Sequence, residues 1–279
     1  MRIVTDSVAD LTPSDVARHQ VKVQPAYLVL NGATYKDDGT LDRDWFYRQL
    51  ADAAVAPTTA APAPEEFLST YRTLADEGAE DAIVLAAASS VSSIYDHALV
   101  AANWFSGRMC IHVVDTMQVS MGVGWMVKEV AEWVEQQVPV ADILERVTGL
   151  RARTQVLGLL DSISYLRRSG RVGWVAGGFA SLLRIKPLFA FEQGAARLFA
   201  RVRTHARGRA VLLQRISRLR PFRRIAILHS GADAAAISWL RDELRALDGD
   251  LSMPVVEIGA AFATHVGPGC LGVAVVSAA

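Results

Sequence analysis

The chain reads as an α/β protein of two domains, the first built on a parallel sheet with flanking helices and the second on a mixed sheet. Three observations predict this. Short β-branched or apolar runs alternate with amphipathic stretches of helical length through the first 160 residues. The run AIVLAAA at 82–88 is apolar throughout, as a strand covered on both faces requires. At 279 residues, with 51% hydrophobic and 21% charged side chains, the chain exceeds one small core and has the material for two. The expected domains are 1–160 and 161–279.

The elements follow in order. RIVT (2–5) is a strand, and Thr12-Pro13 is an N-cap followed by a proline in the first helical position. VKVQPAYLVL (21–30) is expected to form one strand closed by an Asn31-Gly32 turn. Helical spacing covers 42–53, with Asp42 or Asp44 as cap, and a second helix runs from Pro64 to Asp76. The Ala/Pro/Thr-rich segment between them reads as a linker. After strand 82–88 a serine-rich turn opens a helix to Trp104. CIHVVD (110–115) is a strand, 119–137 and 140–153 are helices broken at Pro139, and QVLGLL (155–160) is the expected last strand of the first sheet. In the second half Gly170 ends a short helix, and Gln193-Gly194 turns a hairpin within 185–203. A helix to Leu219, a strand at 223–230, a helix at 232–246 and strands at 253–259 and 271–276 complete the chain.

Composition excludes several classes. Lys+Arg and Asp+Glu number 29 each, so net charge gives no argument for nucleic acid or an anionic membrane. No signal-peptide core and no run of 18 apolar residues is present. Cys110 and Cys270 make neither a disulfide framework nor a metal cluster, which fits a cytoplasmic location. The six histidines show no metal-ligand spacing, and no dinucleotide, P-loop, HExxH, GxSxG or CxxC motif occurs. No metal and no cofactor is therefore expected.

Three stretches fit an anion site. Thr58 and Thr59 precede a helix start. Ser89, Ser90, Ser92 and Ser93 lie where a buried strand gives way to a helix, the end of an α/β sheet at which ligands bind. Arg171 follows a helix-ending glycine. Taken singly, the hydroxyl residues also read as N-caps. A fourth stretch, ATHVGPGCLG (263–272), sets His265 beside Gly267, Pro268 and Gly269, a turn in which glycine permits positive φ and proline fixes φ. Between Glu192 and Asp233 there are ten arginines and no acidic residue, either a solvated face or a docking surface for an acidic partner.

Eight stretches, in order, resemble the DegV family over essentially the whole chain. IVTDSVADL resembles its TDS-x-x-DL opening, TAAPAPEEF its TSQPSPEEF segment, and SSVSSIYDHA its SSxLSGTYxxA loop. VVDTMQVSMGVG, YLRRSGRV, LLRIKPLFAFEQG, VRT and THVGPGCLG follow in family order. The resemblance implies two α/β domains with a long-chain fatty acid between them, its tail in an apolar cavity of the C-terminal domain. It implies a bacterial protein that is not itself an enzyme. Such a protein presents the carboxylate to a separate ATP-dependent fatty acid kinase subunit, which makes acyl phosphate.

Matched to the family motifs, Thr59, Ser92, Arg171 and His265 are the expected carboxylate ligands, with Ser89, Ser93 and Gly267 secondary, and Arg203 faces the kinase. Ala60, Ala61, Ser93, Ile94 and Ser169 depart from the motifs, removing some polar groups from the expected head-group site and replacing glycine. Burial at about 0.8 kcal/mol per methylene gives a C16 tail on the order of 10 kcal/mol before entropic costs. The apolar stretch 172–191 supplies side chains suited to that tail. Two other readings stay open: a phosphotransferase or acyl-transfer enzyme in its own right, and a regulatory protein docking through the arginine-rich face.

Overall fold

The computed structural model describes residues 1–52, 57–171, 185–249 and 251–278. The stretch 172–184, expected to contribute to a tail cavity, lies outside the described residues.

β1 (Arg2–Asp6) and β2 (Lys22–Gln24) pair in parallel. The helix α1 (Pro13–Arg18) between them starts at Thr12, whose hydroxyl accepts from Asp15 N. The segment 21–30 is not one strand. Pro25 has no N–H to continue the ladder, and beyond it β3 (Tyr27–Leu30) joins a different, antiparallel sheet. There it pairs with β4 (Ala33–Lys36) through the Asn31-Gly32 turn and, on its other edge, with β5 (Thr58–Ala60). The Ala/Pro/Thr-rich segment thus contains a strand as well as a connection, with Thr59 opposite Leu28. α2 (Arg43–Asp52) is capped by Asp42, and α3 (Pro64–Asp76) begins and ends as its sequence predicts. β6 (Asp81–Ala86), α4 (Ile94–Trp104) and β7 (Cys110–Asp115) complete a four-stranded parallel sheet of order β2-β1-β6-β7.

α5 (Met121–Glu135) and α6 (Val140–Arg153) follow. α5 is buried nearly all round because it lies against strands of both large sheets. The strand β8 (Thr154–Leu159) does not extend the parallel sheet. It pairs antiparallel with β13 (Leu271–Ser277) and β9 (Lys186–Glu192). Its sequence reads like a parallel strand because both faces are covered: Val156 enters the core shared with the first sheet, and Leu157 and Leu159 a second cluster behind it. After β8 come α7 (Ser164–Ser169), the β9 hairpin with β10 (Ala195–Val202), α8 (His205–Ser217), β11 (Phe222–His229), α9 (Ala234–Asp248) and β12 (Val255–Glu257). The second sheet is mixed, of order β10-β9-β8-β13-β11-β12, and among the described residues its one parallel pair is β11 and β12.

One helix was not expected, α10 (Ala260–Val266), a two-turn piece that ends at Gly267 and carries His265 in its last turn. Gly267 has φ +79°, and a Cβ there would lie 2.2 Å from the Tyr165 ring. Gly267→Ala is expected to lower unfolding stability by about 2–4 kcal/mol, combining backbone strain with overpacking. Urea denaturation checks this, and a loss below about 0.5 kcal/mol would show that the turn relaxes freely.

Candidate functional site

A cavity of about 270 Å³ is lined by elements from both halves of the chain. Its walls are mostly apolar: Val91, Ile94, Leu166, Phe189, Phe191 and Phe262 among them. The polar groups it meets are Thr59 on β5, Ser92 and Ser93 before α4, His97 on α4, Ser169 on α7, Arg171, and His265 on α10. A pocket of this character, with few polar groups, suits a mainly apolar ligand with one polar end.

The polar groups converge in a chain of contacts. Thr59 Oγ1 and His265 Nε2 lie 3.0 Å apart across 206 residues of sequence. Burial first, and the nearby Arg171 cation second, depress the His265 imidazole to about 4, so it is neutral at physiological pH. Its Nδ1 is buried and has no hydrogen-bond partner among the described residues. Arg171 Nη1 donates to the carbonyl of Val91, the residue before Ser92. Ser92 Oγ, one residue before the Ser93 N-cap, accepts from Ile94 N, the first amide of α4, at 3.3 Å, and the same residue lines the cavity.

The Thr59–His265 pair carries two exchangeable hydrogens at neutral pH, one on each side chain. One is used between them, and the other is left for a third group. A buried N–H without an acceptor is more costly than a bare ring nitrogen. The favoured tautomer therefore holds its proton on Nε2 and donates to Thr59, and the Thr59 hydroxyl hydrogen is left free.

The expected secondary residues divide. Ser93 lines the cavity. Ser89 Oγ instead donates to Asp115 Oδ2 at 2.6 Å, and Gly267 caps α10. Neither lines the cavity. Arg203 is exposed just past β10. It is seven residues along from cavity-lining Ala196, roughly 20 Å of extended chain. Sequence reasoning missed His97, whose Nδ1 lies 2.8 Å from the Pro62 carbonyl. Its position four residues after Ser93 puts both on one face of α4, a spacing that would have singled it out.

A larger hollow, about 580 Å³, lies at the other end of α10 and is lined by Asp6, Asp10, Asp37, Asp38, Glu257 and Arg43. Its predominantly acidic wall disfavours an anion. Among the described residues no three His, Cys, Asp or Glu side chains are placed to hold a metal, and no helix is long and apolar enough to cross a membrane.

Known proteins resemble the chain along its whole length. A family model described as DegV family, uncharacterised protein, matches residues 1–278. A DegV domain-containing protein of Streptomyces coelicolor is 34% identical, covering 99% of this chain and 98% of the relative. One of Deinococcus radiodurans is 32% identical, covering 98% and 96%. The structure of a DegV family protein from Thermus thermophilus, described for its fatty acid binding, is 32% identical and superposes with a TM-score of 0.89 over 100% of both chains.

Proposed function

Because the chain belongs to the DegV family, we propose that it binds a long-chain fatty acid in the 270 Å³ cavity and presents its carboxylate at the Thr59–His265 end. The observation that carries this reading is a neutral Thr59–His265 pair with a spare hydrogen, close to the Arg171 guanidinium, on an otherwise apolar cavity. Thr59 donates to the carboxylate, His265 holds Thr59 in the donating orientation, and Arg171 supplies the positive charge. Ser92 adds a second hydroxyl. These groups offset the desolvation that an unpaired carboxylate would suffer. The apolar walls take the methylene chain, each buried methylene contributing about 0.8 kcal/mol. The Thermus thermophilus protein, similar along the whole chain and described as binding fatty acid, supports the ligand class.

The role we assign is presentation to a separate ATP-dependent kinase subunit, with Arg203 on the exposed docking side. A binding protein of this kind holds the carboxylate still and leaves phosphoryl transfer to its partner.

Native mass spectrometry of the purified protein, followed by lipid identification, tests the binding reading. One C14–C18 fatty acid per chain is the expected result. An empty protein that also takes up neither oleate nor palmitate would overturn it. Trapping acyl phosphate with hydroxylamine, from lipid-loaded protein, ATP and a kinase subunit, tests the presentation reading. Acyl phosphate formed without the kinase subunit would count against it and favour an enzyme.

A further inference from the structure

The opening TDSVADL stretch contributes no polar side chain to the cavity, yet its acidic residues are buried and fully engaged. Asp6 accepts from Val8 N at 3.0 Å and Ala87 N at 2.9 Å, within the first sheet. Asp10 does something different. Its Oδ1 accepts from Gly259 N at 2.7 Å, and its Oδ2 from Ser120 Oγ at 2.5 Å. Asp37, buried after β4, accepts from Ala260 N at 3.0 Å and Ala261 N at 3.1 Å. Arg43 lies 3.6 Å from Asp37, and Ser7 Oγ donates to it at 3.4 Å.

The three amides are the N-cap and first two residues of α10. A helix leaves its first N–H groups unsatisfied, and a polar side chain at the N-cap normally serves them. Gly259 has no side chain, and a Cβ there would come within 2.8 Å of Asp37 Oδ2 and 3.0 Å of Asp10 Oδ1. The cap is supplied in trans by two carboxylates of the N-terminal half, more than 200 residues earlier. Negative charge also complements the positive end of the helix. Two turns later the same helix carries His265 against Thr59.

We propose that Asp10 and Asp37 are positioning residues for the carboxylate site: by capping α10 from the N-terminal half they hold His265 in register with Thr59. This rests on the fatty acid reading of the cavity. A helix of seven residues is only about 10 Å long, so loosening one end displaces the other. Neither aspartate lines the cavity that holds Thr59 and His265, so their effect passes through the helix.

The test uses Asp37→Asn and Asp10→Asn, which keep shape and one acceptor oxygen but replace the second acceptor with an NH2 group that can only donate. A Val147→Ala variant in α6, away from α10, serves as a control for a general loss of stability. In lipid-free protein the His265 ring is titrated by NMR, and oleate affinity is measured separately by calorimetry. Loosening α10 lets water reach the imidazole, so either aspartate variant is expected to move the His265 midpoint up by at least about one pH unit and weaken oleate about tenfold. The control is expected to move neither. An unchanged His265 titration in folded aspartate variants overturns the proposal, whatever happens to oleate. An empty wild type overturns the lipid reading alone, because the titration needs no ligand. Hydrogen exchange at Gly259, Ala260 and Ala261 in the wild type covers variants that fail to fold. Protection comparable to that of β13 supports the cap, and fast local exchange overturns it.

Discussion

Replacing Arg223 and Arg224 together with methionine is expected to cost the fold about 3–5 kcal/mol, a large part of the stability of an ordinary domain. Glu129 on α5 is fully buried and receives Arg223 Nε at 2.8 Å, Arg223 Nη2 at 2.6 Å and Arg224 Nε at 2.9 Å, all from β11. Arg224 also bonds Glu132. Burial alone would raise the Glu129 carboxyl, but the hydrogen bonds and charges of the two arginines overcome it and leave the group below its usual value. A depressed acid contributes stability above its unfolded value near 4.5, and that contribution is lost as pH falls through the folded value. Without the arginines the sign reverses: the uncompensated carboxylate is disfavoured, and the fold gains from protonating it. Urea titrations at pH 7 and pH 4 check both points. Adding Glu129→Gln to the double variant is expected to recover much of the loss at pH 7. A loss under about 1 kcal/mol at pH 7 would show that water reaches Glu129 once the arginines are gone.

The second large effect concerns the ligand. Thr59→Val is expected to weaken fatty acid binding by about 10- to 100-fold, the worth of one hydrogen bond to a charged group. His265→Leu is expected to cost a similar factor, because Thr59 then loses the donor that orients it. The double variant is expected to cost little more than either single one, since the two side chains act on the carboxylate through one hydrogen. Additive losses would show that His265 and Thr59 contact the ligand independently. A pH profile gives a separate reading. The His265 value is lowered from 6.5 to about 4. Its contribution is therefore complete above pH 6.5 and falls as pH drops from 6.5 towards 4, by up to about 3 kcal/mol. Asp6 and Asp10 are raised by burial to about 6 and about 7, so in the same window they run the opposite way. The difference between wild type and His265→Leu isolates the histidine: the wild type loses stability relative to the variant as pH falls.

Local order was legible where one physical cause dominated. Thr12-Pro13, the Asn31-Gly32 turn and Gly170 each mark an element end through their own backbone chemistry and stand where the sequence places them, and of the two cap candidates Asp42 and Asp44 it is Asp42 that caps α2. Sheet membership was harder to read. β8 is covered on both faces, so its apolar run has the pattern of a parallel strand, and only distant partners decide its direction. α10 escaped notice because its cap is not local: Gly259 signals no helix start, and the carboxylates that complete it come from the other end of the sequence. Thr59, Ser92, Arg171 and His265 were picked out through motif resemblance, and the cavity brings all four together. His97 was passed over because the histidines were weighed only for metal-ligand spacing and not for their place relative to the serine-rich turn.

The order of the second sheet bears on how the protein is made. β13, the last strand in the sequence, lies between β8 and β11 rather than at an edge. A nascent chain on the ribosome can assemble the parallel sheet early, since β1, β2, β6 and β7 all emerge within the first 115 residues. The second sheet has no such option. Until β13 is released, β8 and β11 both lack their shared neighbour and expose unpaired ladder groups. The histidine that completes the cavity emerges only just ahead of that strand. The half-made protein thus joins a finished parallel sheet to exposed apolar strand edges of the second, the kind of species that chaperones protect.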